Sequence, residues 1–300
     1  MSRVPTTIPM QPNDKPSRLA RKKKDKEIGG RQGGDEPTEN RKTKLPESLG
    51  FRDAISSVHN SRTMMFAELS LILDHVGVNA KTSEYISAVV EQNVLGKPTQ
   101  TTRKRTARLL VDLYTLDQSR AVFRLLRHFW IADPAARPML ACLAAAARDP
   151  LFRDMTPFVF SIPVGATVDS KEVAKSLGEK FSGRFSAATL TSTSQNLASS
   201  WTQAGYLTGK INKKRTRPVV TPVLVTYAFL LGYLSGSRGK MLLDTIWTRM
   251  LVRTPAEITD LAIDASKQGW MTFKAAGSVY EITFPGLLTP QEEKASYEPN

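Results

Sequence analysis

The stretch Ser83–Leu116, SEYISAVVEQNVLGKPTQTTRKRTARLLVDLYTL, sets the reading of the whole chain. Ser83 is expected to cap a helix running to about Asn93, with Ile86, Val89 and Val90 as its apolar stripe. Leu95-Gly-Lys-Pro98 makes a tight turn, and Thr99 or Thr101 starts a second helix that reaches about Leu116. At about 100° per residue, Thr101, Lys104, Arg105 and Arg108 share one side, while Thr106, Leu110, Leu113 and Tyr114 lie opposite. A helix, a short glycine turn and a helix with a basic N-terminal face are what a major-groove reader needs. Lys104, Arg105 and Arg108 then supply the side chains that reach phosphates or guanine edges.

The pattern recurs further along the chain. The loop Pro163–Val168 is read as a separator between two helical halves. Beyond it, Ser170 opens a helix with Val173, Ala174, Leu177 and Phe181 inward. After the turn Ser182-Gly-Arg-Phe185, Ser186 caps a helix ending at Gly205. On it Ser192, Gln195, Asn196 and Ser199 share a face opposite Leu190, Leu197, Trp201 and Ala204. Gln and Asn pair bidentately with adenine, and short hydroxyls suit close approach. Tyr206–Pro218 follows with Lys210, Lys213, Lys214, Arg215 and Arg217, a basic hairpin or loop placed like a wing over phosphate.

The flanking segments read as packing. Met65–Gly77, with Phe66, Leu69, Leu73 and Val76 in stripe, Ser119–Ile131 and Pro138–Ala147 are bundle helices. Val219–Leu234 is strongly apolar, but its helix starts after Thr221 with Pro222 at the first position and stops near Gly236. That is about 20 Å of helix against about 30 Å of bilayer core, so a buried helix is expected and no membrane partner. Thr254-Pro255 starts a helix to Lys267, followed by a hairpin over Trp270–Lys274 and Val279–Phe284. Its outline is that of a winged helix, yet Glu257, Asp260 and Asp264 would repel phosphate. A structural or protein-docking face is the expectation there.

Composition bounds the partners. With 42 Lys+Arg against 28 Asp+Glu the formal net charge is +14, which favours a polyanion. Residues 1–48 hold 12 basic and 7 acidic residues and almost no bulky apolar ones, so they are expected to be a disordered basic tail. Its densest part, Arg18–Lys24, reads either as a DNA-contacting arm or as a solvated tail. Residues 289–300 are read as a second disordered tail, leaving helical domains at 49–162 and 163–288. The lone Cys142 excludes an internal disulfide and fits a cytoplasmic protein.

Enzyme signatures are missing: no HExxH, Walker, GxGxxG or GxSxG pattern occurs, and His59, His75 and His128 are scattered. Asp149 and Asp154 stand five residues apart and point to different helix faces. No enzyme activity, cofactor, metal or small-molecule substrate is therefore expected.

Three stretches, Gln92–Thr106, Arg137–Leu151 (RPMLACLAAAARDPL) and Leu190–Leu207 ending in QAGYL, resemble the BrxA family of the BREX bacteriophage-exclusion systems. The resemblance implies a helical protein with helix-turn-helix elements that binds double-stranded DNA without catalysis. It also implies other defence proteins as partners, with Arg103–Arg108 and the helix ending at Gly205 facing DNA. The basic tail and the extension past residue 235 depart from short members. The expectation is a mainly α, DNA-binding defence protein, with a protein-docking adaptor as the alternative.

Overall fold

An alanine-rich helix is the hub on which the others converge. In α5 (Arg137–Arg148) every residue from Met139 to Ala147 is buried, Cys142 among them. Side chains this small let neighbouring backbones come close, so α5 is packed on several sides at once. The computed structural model describes residues 45–297. In it α1 (Phe66–His75), α3 (Gln100–Tyr114), α4 (Ala121–Ala132), α6 (Pro150–Ser161) and α9 (Pro222–Leu234) all contact α5. The expected tail lies outside the described residues as far as residue 44. Residues 45–48, expected to belong to the tail, pack on the fold instead: the Leu45 amide donates to Asp53 Oδ2 at 3.0 Å and Glu47–Leu49 forms a 3-10 turn.

The apolar segment near residue 225 is a core helix. Thr221 caps α9 by accepting from the Leu224 amide, Pro222 sits in its first turn, and every residue from Val223 to Gly232 is buried. Gly232 is required by close approach, since a Cβ there would meet Thr245 Cγ2 at 2.9 Å and Leu242 Cδ2 at 3.1 Å. No helix among the described residues is long and apolar enough to cross a membrane. Because α9 also packs on α4, α10 (Ile246–Arg249), α11 (Pro255–Lys267) and α12 (Pro290–Tyr297), the halves divided at 162/163 form one packed body.

Among the described residues the fold is mainly helical, with two small antiparallel sheets. Between α6 and α8 (Ala187–Gln203) run β1 (Thr167–Val168) and α7 (Ser170–Lys180); β2 (Leu207–Thr208) and β3 (Lys213–Arg215) follow α8. The sheet order is β1-β3-β2, with Thr167 opposite Lys214 and Leu207 opposite Arg215. The loop expected at 163–168 thus contains an edge strand of two residues, too short to show alternation. The second sheet is the expected hairpin, β4 (Thr272–Ala276) with β5 (Val279–Thr283), turning at Gly277-Ser278.

Three expectations change. Ile86 is 39% exposed on α2 (Thr82–Val90), and Tyr85 fills the core instead, edge-on to Phe123. Glu257 closes a capping box on α11 by accepting from the Thr254 amide, which also holds its carboxyl below the usual range, so it is not a free docking charge. Residues 290–297 are α12 rather than tail; residues 298–300 lie outside the described part. Thr289 and Glu292 cap its start reciprocally, and Glu292, nearly buried, pairs with Arg124 at 2.6 Å.

Candidate nucleic-acid interface

The turn before α3 is fixed by its own polar groups. Asn93 has φ +52°, its Oδ1 accepts from the Lys97 amide, and Lys97 Nζ reaches Glu68 at 3.0 Å. Thr99 caps α3 by accepting from the Thr102 amide. Arg103 folds back over this turn: its Nε donates to Lys97 O at 3.2 Å and its Nη1 to Val90 O at 3.4 Å. It is a clamp on backbone carbonyls and does not belong to the outward face, correcting the expectation. Thr101, Lys104, Arg105 and Arg108 are exposed as periodicity requires.

Beside that face lies a cleft of about 310 Å³ between α3 and residues 52–61. Arg52, Arg105 and Arg108 line it with Ser56, Ser57 and Ser61, and Asp112 stands 3.8 Å from Arg52 and 4.0 Å from Arg108. One carboxylate among three guanidiniums leaves the cleft positive. Sequence reading missed Arg52 and the serines, because residues 52–61 have no period and gain meaning only from lying against α3.

A second polar face sits on α8. Ser186 caps it by accepting from the Thr189 amide, and Leu197, Ala198 and Trp201 anchor its inner side. Ser192 and Gln195 are exposed and Ser199 is half-buried. Gln195 and Ser199 line a groove of about 640 Å³ with Lys210, Ile211, Asn212 and Lys213 of the β2–β3 hairpin. Lys213 Nζ donates to Thr202 Oγ1 at 2.9 Å, tying the hairpin to α8; its partial burial lowers its pKa. Lys210, Lys214 and Arg217 are exposed.

Two expected contacts are structural instead. Asn196 donates through Nδ2 to His59 O at 2.9 Å and is half-buried, so its amide is not available to adenine. Arg215 is 2% exposed, donating to the carbonyls of Val159 (2.8 Å), Tyr206 (3.2 Å) and Thr216, with its guanidinium over the Tyr206 ring. Burial lowers its pKa, and neighbouring Tyr206 opposes that.

Between the two faces runs the 3-10 turn Val58–Asn60, which packs on both α3 and α8. Its His59 is fully buried, with Nδ1 2.8 Å from Asp149 Oδ2 and Nε2 3.1 Å from Ser200 Oγ. Burial alone would raise the Asp149 carboxyl, but His59, the Ser57 hydroxyl and the Phe152 amide together hold it below its ordinary value. Ser–His–Asp is a nucleophile's arrangement, yet Ser200 is sealed from solvent and already bonds the Met64 amide and Asn196 O. This cluster positions the turn between the helices.

Residues 56–161 match the BrxA family model. Over those residues the chain is similar to BrxA. The BrxA match spans α1 to α6, including His59, Asp149 and the Lys104–Arg108 face. Of the three resembling stretches, the first two lie inside the BrxA match and Leu190–Leu207 lies outside it. No curated protein matches the chain.

Proposed function

We propose that this BrxA-like chain is a non-catalytic duplex-DNA-binding component of bacterial phage defence, acting in the cytoplasm alongside other proteins of its system. The observation that carries the reading is the juxtaposition of Gln195 and Ser199 on α8 with Lys210 and Lys213 of the β2–β3 hairpin across one groove. The order α6, β1, α7, α8, β2, β3 with sheet order β1-β3-β2 supports a winged helix, in which α8 enters the major groove and the hairpin lies across phosphate. The exposed Lys104, Arg105 and Arg108 support a second contact from α3.

Phosphate contact is the source of affinity in this reading, so each cation neutralising a phosphate contributes about 0.9 to the slope of log K against log salt. The test is duplex binding by the full chain and by the triple alanine variant at Lys104, Arg105 and Arg108. The expected result is weaker binding with a flatter salt slope and an unchanged circular-dichroism spectrum. Equal affinity and slope would remove α3 from the interface.

The adaptor reading keeps one supporting observation. Asp260 is exposed on α11 and Ile263 is 38% exposed, an acidic and apolar pair beyond the DNA-facing elements. A partner complex that survives moderate salt without nucleic acid, and is lost on Asp260→Lys with Ile263→Lys, would favour it.

A further inference from the structure

The β2–β3 hairpin exposes a side chain that its own fold does not use. Ile211 stands at the tip, 88% exposed, between Lys210 and Asn212. A single exposed apolar residue is ordinary on any protein. Three features set this one apart. The tip is closed on glycine: Gly209 has φ +95°, and a Cβ there would lie 2.5 Å from Asn212 O. The hairpin is tethered on both sides, through Lys213 Nζ to Thr202 on α8 and through β3 to β1. And the groove between the tip and Gln195 holds its one carboxylate, Asp169, in the α7 cap, where it accepts from the Lys171 amide at 2.9 Å.

Tip and α8 are therefore held at a fixed separation with cations between them. The minor groove is about 6 Å wide against about 12 Å for the major groove, so it excludes a helix and admits a narrow hairpin tip. Apolar side chains such as isoleucine enter it as wedges between base steps, while Asn and Lys meet the acceptors and phosphates at its edges.

We propose that Ile211 is an apolar wedge that enters the minor groove of duplex DNA while α8 lies in the adjacent major groove. The proposal rests on the DNA-binding reading above and adds which groove the hairpin occupies and which residue fills it. Lys210 and Lys214 then face the two phosphate strands, and Asn212 faces the adenine N3 and thymine O2 acceptors. Contact with these acceptors and opening of flexible pyrimidine–purine steps give a preference for A·T-rich sequence.

The test uses the full chain with an A·T-rich duplex carrying 2-aminopurine, whose fluorescence rises on unstacking. The wild-type chain is expected to raise the fluorescence and to be displaced by a netropsin-type minor-groove ligand. Ile211→Ser is expected to lose the fluorescence rise and bind about tenfold more weakly, the loss of an apolar contact of about 1.4 kcal/mol, with its salt slope unchanged. Lys210→Ala, the control, is expected to keep the rise and to flatten the slope by about one. Duplex binding without any fluorescence rise, or identical behaviour of Ile211→Ser and wild type, would overturn the wedge and leave the DNA-binding reading standing. No duplex binding by the full chain at low salt would overturn both.

Discussion

Asp149 Oδ2 and His59 Nδ1 lie 2.8 Å apart, across 90 residues of sequence, with both side chains closed to solvent. The same carboxylate accepts from Ser57 Oγ at 2.8 Å and the Val58 amide at 3.0 Å, and its other oxygen caps α6 through the Phe152 amide at 3.2 Å. One side chain thus starts a helix, anchors a 3-10 turn and orients the histidine that reaches α8. Removing it leaves several buried donors without partners. Asp149→Ala is expected to cost about 3–5 kcal/mol, read as a fall in urea midpoint, with Asp149→Asn losing less.

The same contact sets an acid limit. Because the folded state holds the Asp149 carboxyl below its ordinary value of 3.8, its contribution is complete at neutral pH. It is lost as pH falls from just above 3.8 through the lower folded value. Urea midpoints measured at falling pH should therefore drop more steeply for the wild type than for Asp149→Asn. Parallel curves would contradict this.

Arginines that look alike in the sequence should separate by assay. Arg103→Ala and Arg215→Ala are expected to lower stability, by about 1 kcal/mol for the half-buried clamp and about 3 kcal/mol for the buried one. Arg105→Ala, at an exposed position, should leave the melting temperature within a degree or two and lower DNA affinity. A stability loss at Arg105 equal to that at Arg215 would contradict the assignment.

Gln195 and Asn196 form the same kind of contrast on α8. Gln195→Ala is expected to change sequence preference more than overall affinity, whereas Asn196→Ala should cost about 1 kcal/mol of stability through its lost bond to His59 O. Selection from a random duplex library, beside thermal melts, separates the two.

Cys142 lies inside α5 with no solvent access, and burial raises its thiol well above the usual range. A thiol reagent should label it only on unfolding. Rapid labelling of the native chain would show that α5 opens far more readily than a fully packed hub does.

The helices were legible where sequence carries local chemistry. Thr254-Pro255-Ala256-Glu257 announces α11, and its cap, proline and glutamate all sit where that signature places them. Thr289-Pro290-Gln291-Glu292 repeats the signature and announces α12, but the polar residues after it read as a tail. What holds that helix is Arg124, distant in sequence. The outward face of α3 was readable from its period, because exposure follows the helix repeat. Which cations of the chain remain free was not, because Arg103 is taken up by the carbonyls of Val90 and Lys97 and Arg215 by those of Val159, Tyr206 and Thr216. Asn196 was misread for the same reason: its partner His59 lies 137 residues away.

Binding of duplex DNA by the exposed cations on α3 and around the β2–β3 hairpin is read by fluorescence anisotropy of the full chain with a short duplex across a salt series. If Lys104, Arg105, Arg108, Lys210, Lys214 and Arg217 all neutralise phosphates, log K falls linearly with log salt at a slope approaching about −5. Absence of binding at low salt, or binding indifferent to salt, would rule out phosphate neutralisation by these cations.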